Sequence, residues 1–187
     1  MQEMNPKENG MLFISYGQMV AFISIVWLLV RFCVYKKTQR FSWKRELQLM
    51  LVYICIVVVV RFTFCPFGKV DGKIQPLVFD PAQVYPFKTN LEPLIHLFDY
   101  PTLREALVNL IGNTAMFIPL GIVWPAVFPQ LNTHGKRIAA GFGCSLVIEI
   151  LQLPFFERYT DLDDLILNTA GFLMGYGIWL LVKKLKK

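Results

Sequence analysis

Glu149 interrupts an otherwise uncharged run from Ile138 to Phe156. A carboxylate among apolar neighbours has to be met by a cation, hydrogen bonds, water or a proton. It has polar company at helical spacing. Ser145, Glu149 and Gln152 are separated by four and three residues, which puts them on one helix face. Asn109 and Asn113, four apart, open another uncharged run, Ala106 to Val127. Arg158, Asp161, Asp164 and Asn168 lead into a third, Leu165 to Val182, with Asp161, Asp164 and Asn168 on one face. Arg61 follows the run Leu47 to Val60.

Two kinds of chemistry fit these residues. Glu149 can serve as a general acid/base, or as the partner of a cationic group. In an enzyme, Glu149, Asp164 and Arg158 would form the catalytic set, with the arginines on phosphate and an aspartate orienting water. In a binding site, Arg61, Asn109, Asn113, Gln152, Asp161 and Asn168 would hold the ligand. A plainer reading stands beside both. Glu149 can pair with an arginine and pin the helices. Thr160 or Asp161 can cap a helix whose first turn favours Asp163 and Asp164 through its dipole. The asparagines can hydrogen-bond across helices.

No metal or cofactor is expected. Paired carboxylates can hold a divalent ion, but Cys33, Cys55, Cys65 and Cys144 fit no metal spacing or disulfide framework. His96 and His134 are solitary, and no glycine-rich phosphate loop is present.

The chain around these residues is strongly apolar. It has 187 residues, 55% hydrophobic and 17% charged, with a mean hydropathy of +0.48. Soluble domains carry about 25% charged residues, so a soluble domain and a disordered chain are both excluded. A membrane-crossing helix needs roughly 20 mostly apolar residues. Met11–Val30, Leu47–Val60 with its continuation to Phe67, Ala106–Val127, Ile138–Phe156 and Leu165–Val182 supply five candidates. The first lacks the basic leader and small-residue cleavage site of a signal peptide, so it reads as a retained span. The predicted fold is an all-α polytopic membrane bundle of about five helices. Its division is residues 1–64, two helices with a basic loop, and residues 65–187, a long loop, three helices and a basic tail.

The net charge of +6 and pI near 9.2 raise the question of nucleic acid. That reading needs basic residues clustered on a polar surface, and here they fall between apolar runs; no nucleic-acid partner is expected. Five alternating spans place twelve basic residues and one acid, Glu46, on one side, and seven basic and twelve acidic residues on the other. Lys and Arg mark the cytoplasmic side, so the N-terminus is predicted outside and the C-terminus in the cytoplasm. The orientation rests on Lys and Arg alone, so most of the costly polar residues did not enter it, yet all fall at the outer helix ends.

The outer loop from Cys65 to Glu105 holds six prolines with interleaved aromatics. It reads either as an irregular cap on the helix ends or as a linker; proline disfavours regular structure and aromatic rings favour the membrane interface. Gly141 and Ser145, and Gly171 and Gly175, provide small faces for close helix packing. Pro119 and Pro125 predict a kink or a hinge in the third span.

Taken in order, these motifs resemble the VanZ-like family of bacterial membrane proteins over about residues 87–180. Asn109-Leu-Ile-Gly-Asn113 with Phe117-Ile-Pro119-Leu-Gly121 is similar to N-x-x-x-N-x-x-x-F-x-P-x-G. Ser145 to Gln152 is similar to S-x-x-x-E-x-x-Q, and Arg158 to Gly171 to R-x-x-D-x-x-D-x-x-x-N-x-x-G. The loop departs from the family's Asn-Leu-Ile-Pro-Phe, reading Asn90-Leu-Glu92-Pro93-Leu94. The resemblance implies a multi-pass bacterial plasma-membrane protein linked to teicoplanin resistance. Its partners would be the lipid bilayer and a lipoglycopeptide antibiotic or a lipid-linked cell-wall precursor. Binding or shielding at the outer leaflet is the first functional expectation, and an enzyme acting on a lipid precursor through Glu149 is the alternative.

Overall fold

The computed structural model describes residues 11–65, 69–70, 73–85, 89–90, 92, 102–156, 158 and 160–186. Five long helices dominate them: α1 (Tyr16–Thr38), α2 (Trp43–Thr63), α3 (Leu103–Val127), α4 (His134–Gln152) and α5 (Leu162–Leu185). The protein is an all-α membrane helix bundle. Helix starts are set by short polar side chains that accept a hydrogen bond from first-turn N–H groups. Ser15 forms a reciprocal cap with Gln18, while Thr102, Thr133 and Asp161 cap α3, α4 and α5.

Helices consecutive in the chain alternate in direction. Arg61 lies over the Tyr16 ring at one end of the α1–α2 pair, Ser24 Oγ is 2.7 Å from Tyr53 Oη at its middle, and Arg31 pairs with Glu46 at the other end. Arg45, early in α2, donates to the carbonyl of Val127, which ends α3. The α4–α5 pair is antiparallel, as Asn168 donates to Ser145 and Arg137 donates to Tyr176.

Helices α3 and α5 run parallel and in intimate contact. A Cβ built on Gly171 would lie 1.9 Å from the Thr114 carbonyl oxygen, and one on Gly175 2.0 Å from that of Ile118. In return, a Cβ on Gly121 would lie 2.1 Å from the Phe172 oxygen. Only hydrogen fits at these places, which is the close approach that small residues permit between membrane helices. The neighbouring Phe172 is fully buried, with Gly141 of α4 making room for its ring.

By length and apolarity, α1, α2, α3 and α5 qualify as membrane spans. The expected fourth span, Ile138–Phe156, differs: α4 stops at Gln152, and Phe155 makes a β-bridge to Phe79. Its first turns carry Lys136 and Arg137, so α4 is less apolar than the rest. It nevertheless returns the chain between two parallel helices. Helix α2 also starts before the apolar run and ends at Thr63 instead of continuing towards Phe67. Helix α3 passes through Pro119 and Pro125 without interruption.

The helix bundle carries short two-stranded ladders near one end. β1 (Leu12–Ile14) pairs antiparallel with β4 (Leu77–Phe79), and β2 (Lys69–Val70) pairs with β3 (Lys73–Ile74). β5 (Thr89–Asn90) runs parallel to β6 (Thr160–Asp161). The described part of the long loop therefore contains regular structure and packs on the helices. Leu77 and Asp80 are buried, and Phe155 stacks edge-on with Phe64 and Phe79 at 5.6 Å each. Phe67, Phe87, Phe98 and Tyr100 lie outside the described residues.

Candidate functional site

The alternating helices bring the start of α1, the end of α2, the start of α3, the end of α4 and the start of α5 to one end of the bundle. All nine candidate residues are there. The opposite end collects the basic residues Arg31 to Arg45, Lys136, Arg137 and the Lys-rich tail. The charge asymmetry anticipated from the sequence is thus an asymmetry between the two ends of the fold.

Glu149 is 1% exposed, one helical turn above Ser145 on the buried face of α4. Its Oε2 accepts the backbone N–H of Asp161 at 3.1 Å, and its own carbonyl accepts the Thr160 hydroxyl at 2.9 Å. Glu149 therefore holds β6 against the end of α4. The partner is a backbone N–H, not the guanidinium that the plainer reading anticipated. Arg61 Nη1 instead donates to the Cys65 carbonyl at 3.0 Å, and Arg158 Nη2 to that of Phe64 at 2.9 Å. Both cations thus lie on carbonyls just beyond α2, where the negative end of its dipole favours them.

Asp161 has two roles. Its carboxylate caps α5 by accepting the Asp163 N–H at 2.9 Å, as the capping reading predicts. The same carboxylate receives Asn90 Nδ2, 3.4 Å from both oxygens. Asp161 and Asp164 both lie within electrostatic range of Glu149. Asn113 donates to Asp164 across the α3–α5 interface and also contacts Asn109 at 3.5 Å.

One layer deeper, Asn168 Nδ2 donates to Ser145 Oγ at 3.1 Å, with both residues essentially fully buried. Gln152 Nε2 donates to the Thr63 carbonyl at 2.7 Å and ties α4 to α2. Among the described residues, nothing hydrogen-bonds the buried amide oxygens of Asn168 and Gln152. A buried acceptor left open is costly, so the site has acceptor capacity beyond its own contacts. The cluster borders a cleft of about 550 Å³, lined by Phe62, Arg104, Glu105, Val108, Asn109 and Asn113. Among the described residues, no three His, Cys, Asp or Glu side chains converge as a metal-ligand set.

The sequence profile of the VanZ/LLP1 family matches residues 49–183. The chain belongs to the VanZ/LLP1 family. The VanZ/LLP1 match begins within α2, wider than the stretch from residue 87 that the motifs cover, and it includes all nine candidate residues. Helix α1 lies outside it. Protein VanZ of Enterococcus faecium is 33% identical over 76 residues, which is 41% of this chain and 47% of that protein. The chain therefore spans about half the length of this curated VanZ relative. No solved structure matches the chain.

The helix-face spacing in the sequence points to Glu149, Asp161, Asp164 and the asparagines, but it gives no sign of three partners. Asn90 reaches Asp161 from the loop, Thr160 fastens β6 to Glu149, and the Thr63 carbonyl receives Gln152. The Asn90-Leu dipeptide of the loop motif was the available signal for the first. A backbone carbonyl leaves no signal in side-chain spacing.

Proposed function

We propose that this VanZ/LLP1 protein resides in a bacterial cell membrane and contributes to teicoplanin-type glycopeptide resistance through its polar end, placed at the outer leaflet. It acts by binding or shielding, with a lipoglycopeptide or a lipid-linked cell-wall precursor as partner. The observation that carries this reading is the convergence of Glu149, Asp161, Asp164, Asn113 and Asn168 beside an open cleft. Intramembrane ionisable groups are costly and by default functional. The basic opposite end supports a cytoplasmic location for that end.

Orientation is checked with single cysteines in a chain whose native cysteines are replaced. An impermeant maleimide added to whole cells should label Glu92→Cys and leave Ser42→Cys unlabelled until the cells are permeabilised. The reverse pattern would put the site in the cytoplasm and end the outer-leaflet reading. Function is checked by expressing the chain in a susceptible host. Protection is expected against teicoplanin and not against an analogue without its acyl tail. Equal protection against both would reject a mechanism based on the tail.

A further inference from the structure

Helix α1 runs the length of the bundle, yet none of its residues is buried. It is fastened at both ends and, on its α2 side, by the Ser24–Tyr53 contact at its middle. The β1–β4 ladder and the Arg61–Tyr16 contact hold one end, and the Arg31–Glu46 pair holds the other. Between α1 and α4 lies an apolar cavity of about 890 Å³. Met19 and Phe22 face it from α1, Trp124 from α3, and Gly143 and Val147 from α4. Phe64, Phe79 and Phe155 line it towards the polar end. A Cβ on Gly143 would meet nothing within 4 Å, so this glycine borders open space.

A space of this kind at membrane depth has few possible fillings. Apolar cavities stay dry, and an empty one forfeits the dispersion contacts of its walls. The surrounding medium is hydrocarbon. From Gly143 to Leu151 the wall rises roughly 12 Å at 1.5 Å per residue, close to the roughly 15 Å of one leaflet. At the top, Arg158 lies on the carbonyl of Phe64, a wall residue, and Arg61 on the next carbonyl. Those guanidiniums match a phosphate at the head of a chain whose tail lies below.

We infer that the cavity between α1 and α4 binds one acyl chain of a membrane phospholipid, with its phosphate beside Arg61 and Arg158. This does not depend on the resistance reading, because the lipid would be a resident of the fold whatever the polar cluster binds.

The test uses the full chain in nanodiscs, with Trp27, Trp43 and Trp179 replaced by phenylalanine so that Trp124 is the sole fluorophore. Phosphatidylglycerol brominated near the chain terminus should quench Trp124 by at least half. Gly143→Leu fills the space without a backbone clash and should cut that quenching at least twofold, with the helical circular dichroism unchanged. Equal quenching in both proteins would overturn the inference. So would absent quenching together with a dimer that Gly143→Leu converts to a monomer, since a second copy would then cover the cavity.

Discussion

Gly171→Ala is expected to destabilise the detergent-solubilised protein by about 1–3 kcal/mol, the usual range for overpacking a tight interface. The added carbon would lie 1.9 Å from the Thr114 carbonyl oxygen, which belongs to a helix backbone and cannot rotate aside. Gly171→Leu should yield no folded protein. The control lies six residues further along the same helix. A Cβ on Gly177 meets nothing within 4 Å, so Gly177→Ala should be neutral or stabilise by up to about 1 kcal/mol, the helix-propensity difference between the two residues. Thermal unfolding of the two variants side by side is the measurement. Equal shifts would mean that the α3–α5 seam is not as close as described.

The second large effect concerns Glu149 and falls on function. Glu149→Gln keeps an oxygen that can accept the Asp161 N–H and removes the ionisable group. It should fold with nearly unchanged stability and lose protection against teicoplanin down to the level of the host alone. Glu149→Ala removes the acceptor and leaves the half-buried Asp161 N–H open, which costs up to about 1–3 kcal/mol, the range for a fully buried donor. It should lose both stability and protection. Comparing the melting temperature and the teicoplanin inhibitory concentration for the two variants separates the carboxylate's charge from its role as a fastener. Full protection by Glu149→Gln would show that the hydrogen bond alone is what the chain needs from this residue.

The fold was largely legible because membrane helices announce themselves by long uncharged runs, and because each costly polar residue had to find company. The shared end of Asn109, Glu149, Asp164 and Asn168 follows from alternating helix direction alone. Other features were less accessible. Helix α4 is harder to delimit because Lys136, Arg137 and Glu149 dilute its apolarity, and its end at Gln152 depends on the turn through Leu153 and Pro154. The β1–β4 ladder joins residues 12–14 to 77–79, a pairing that no local pattern announces. The positions of Arg61 and Arg158 escaped for a related reason. An arginine near a carboxylate in a topology diagram reads as its partner, but here the nearer acceptors are the carbonyls left open at the end of α2.

The glycines of α5 have a further meaning when the helix is imagined sliding along α3. Gly171 and Gly175 are two notches that face the carbonyls of Thr114 and Ile118. The residues one turn to either side are Leu167 and Trp179. A slip of one turn in one direction would bring Leu167 to a carbonyl that tolerates only hydrogen, and a slip in the other would bring Trp179. The seam works as a key with two teeth cut away and admits a single alignment. Alignment is therefore written in the backbone, and the Asn113–Asp164 and Ser145–Asn168 contacts are not required to set it. Evolution is left free to change those polar side chains without misregistering the helices that carry them.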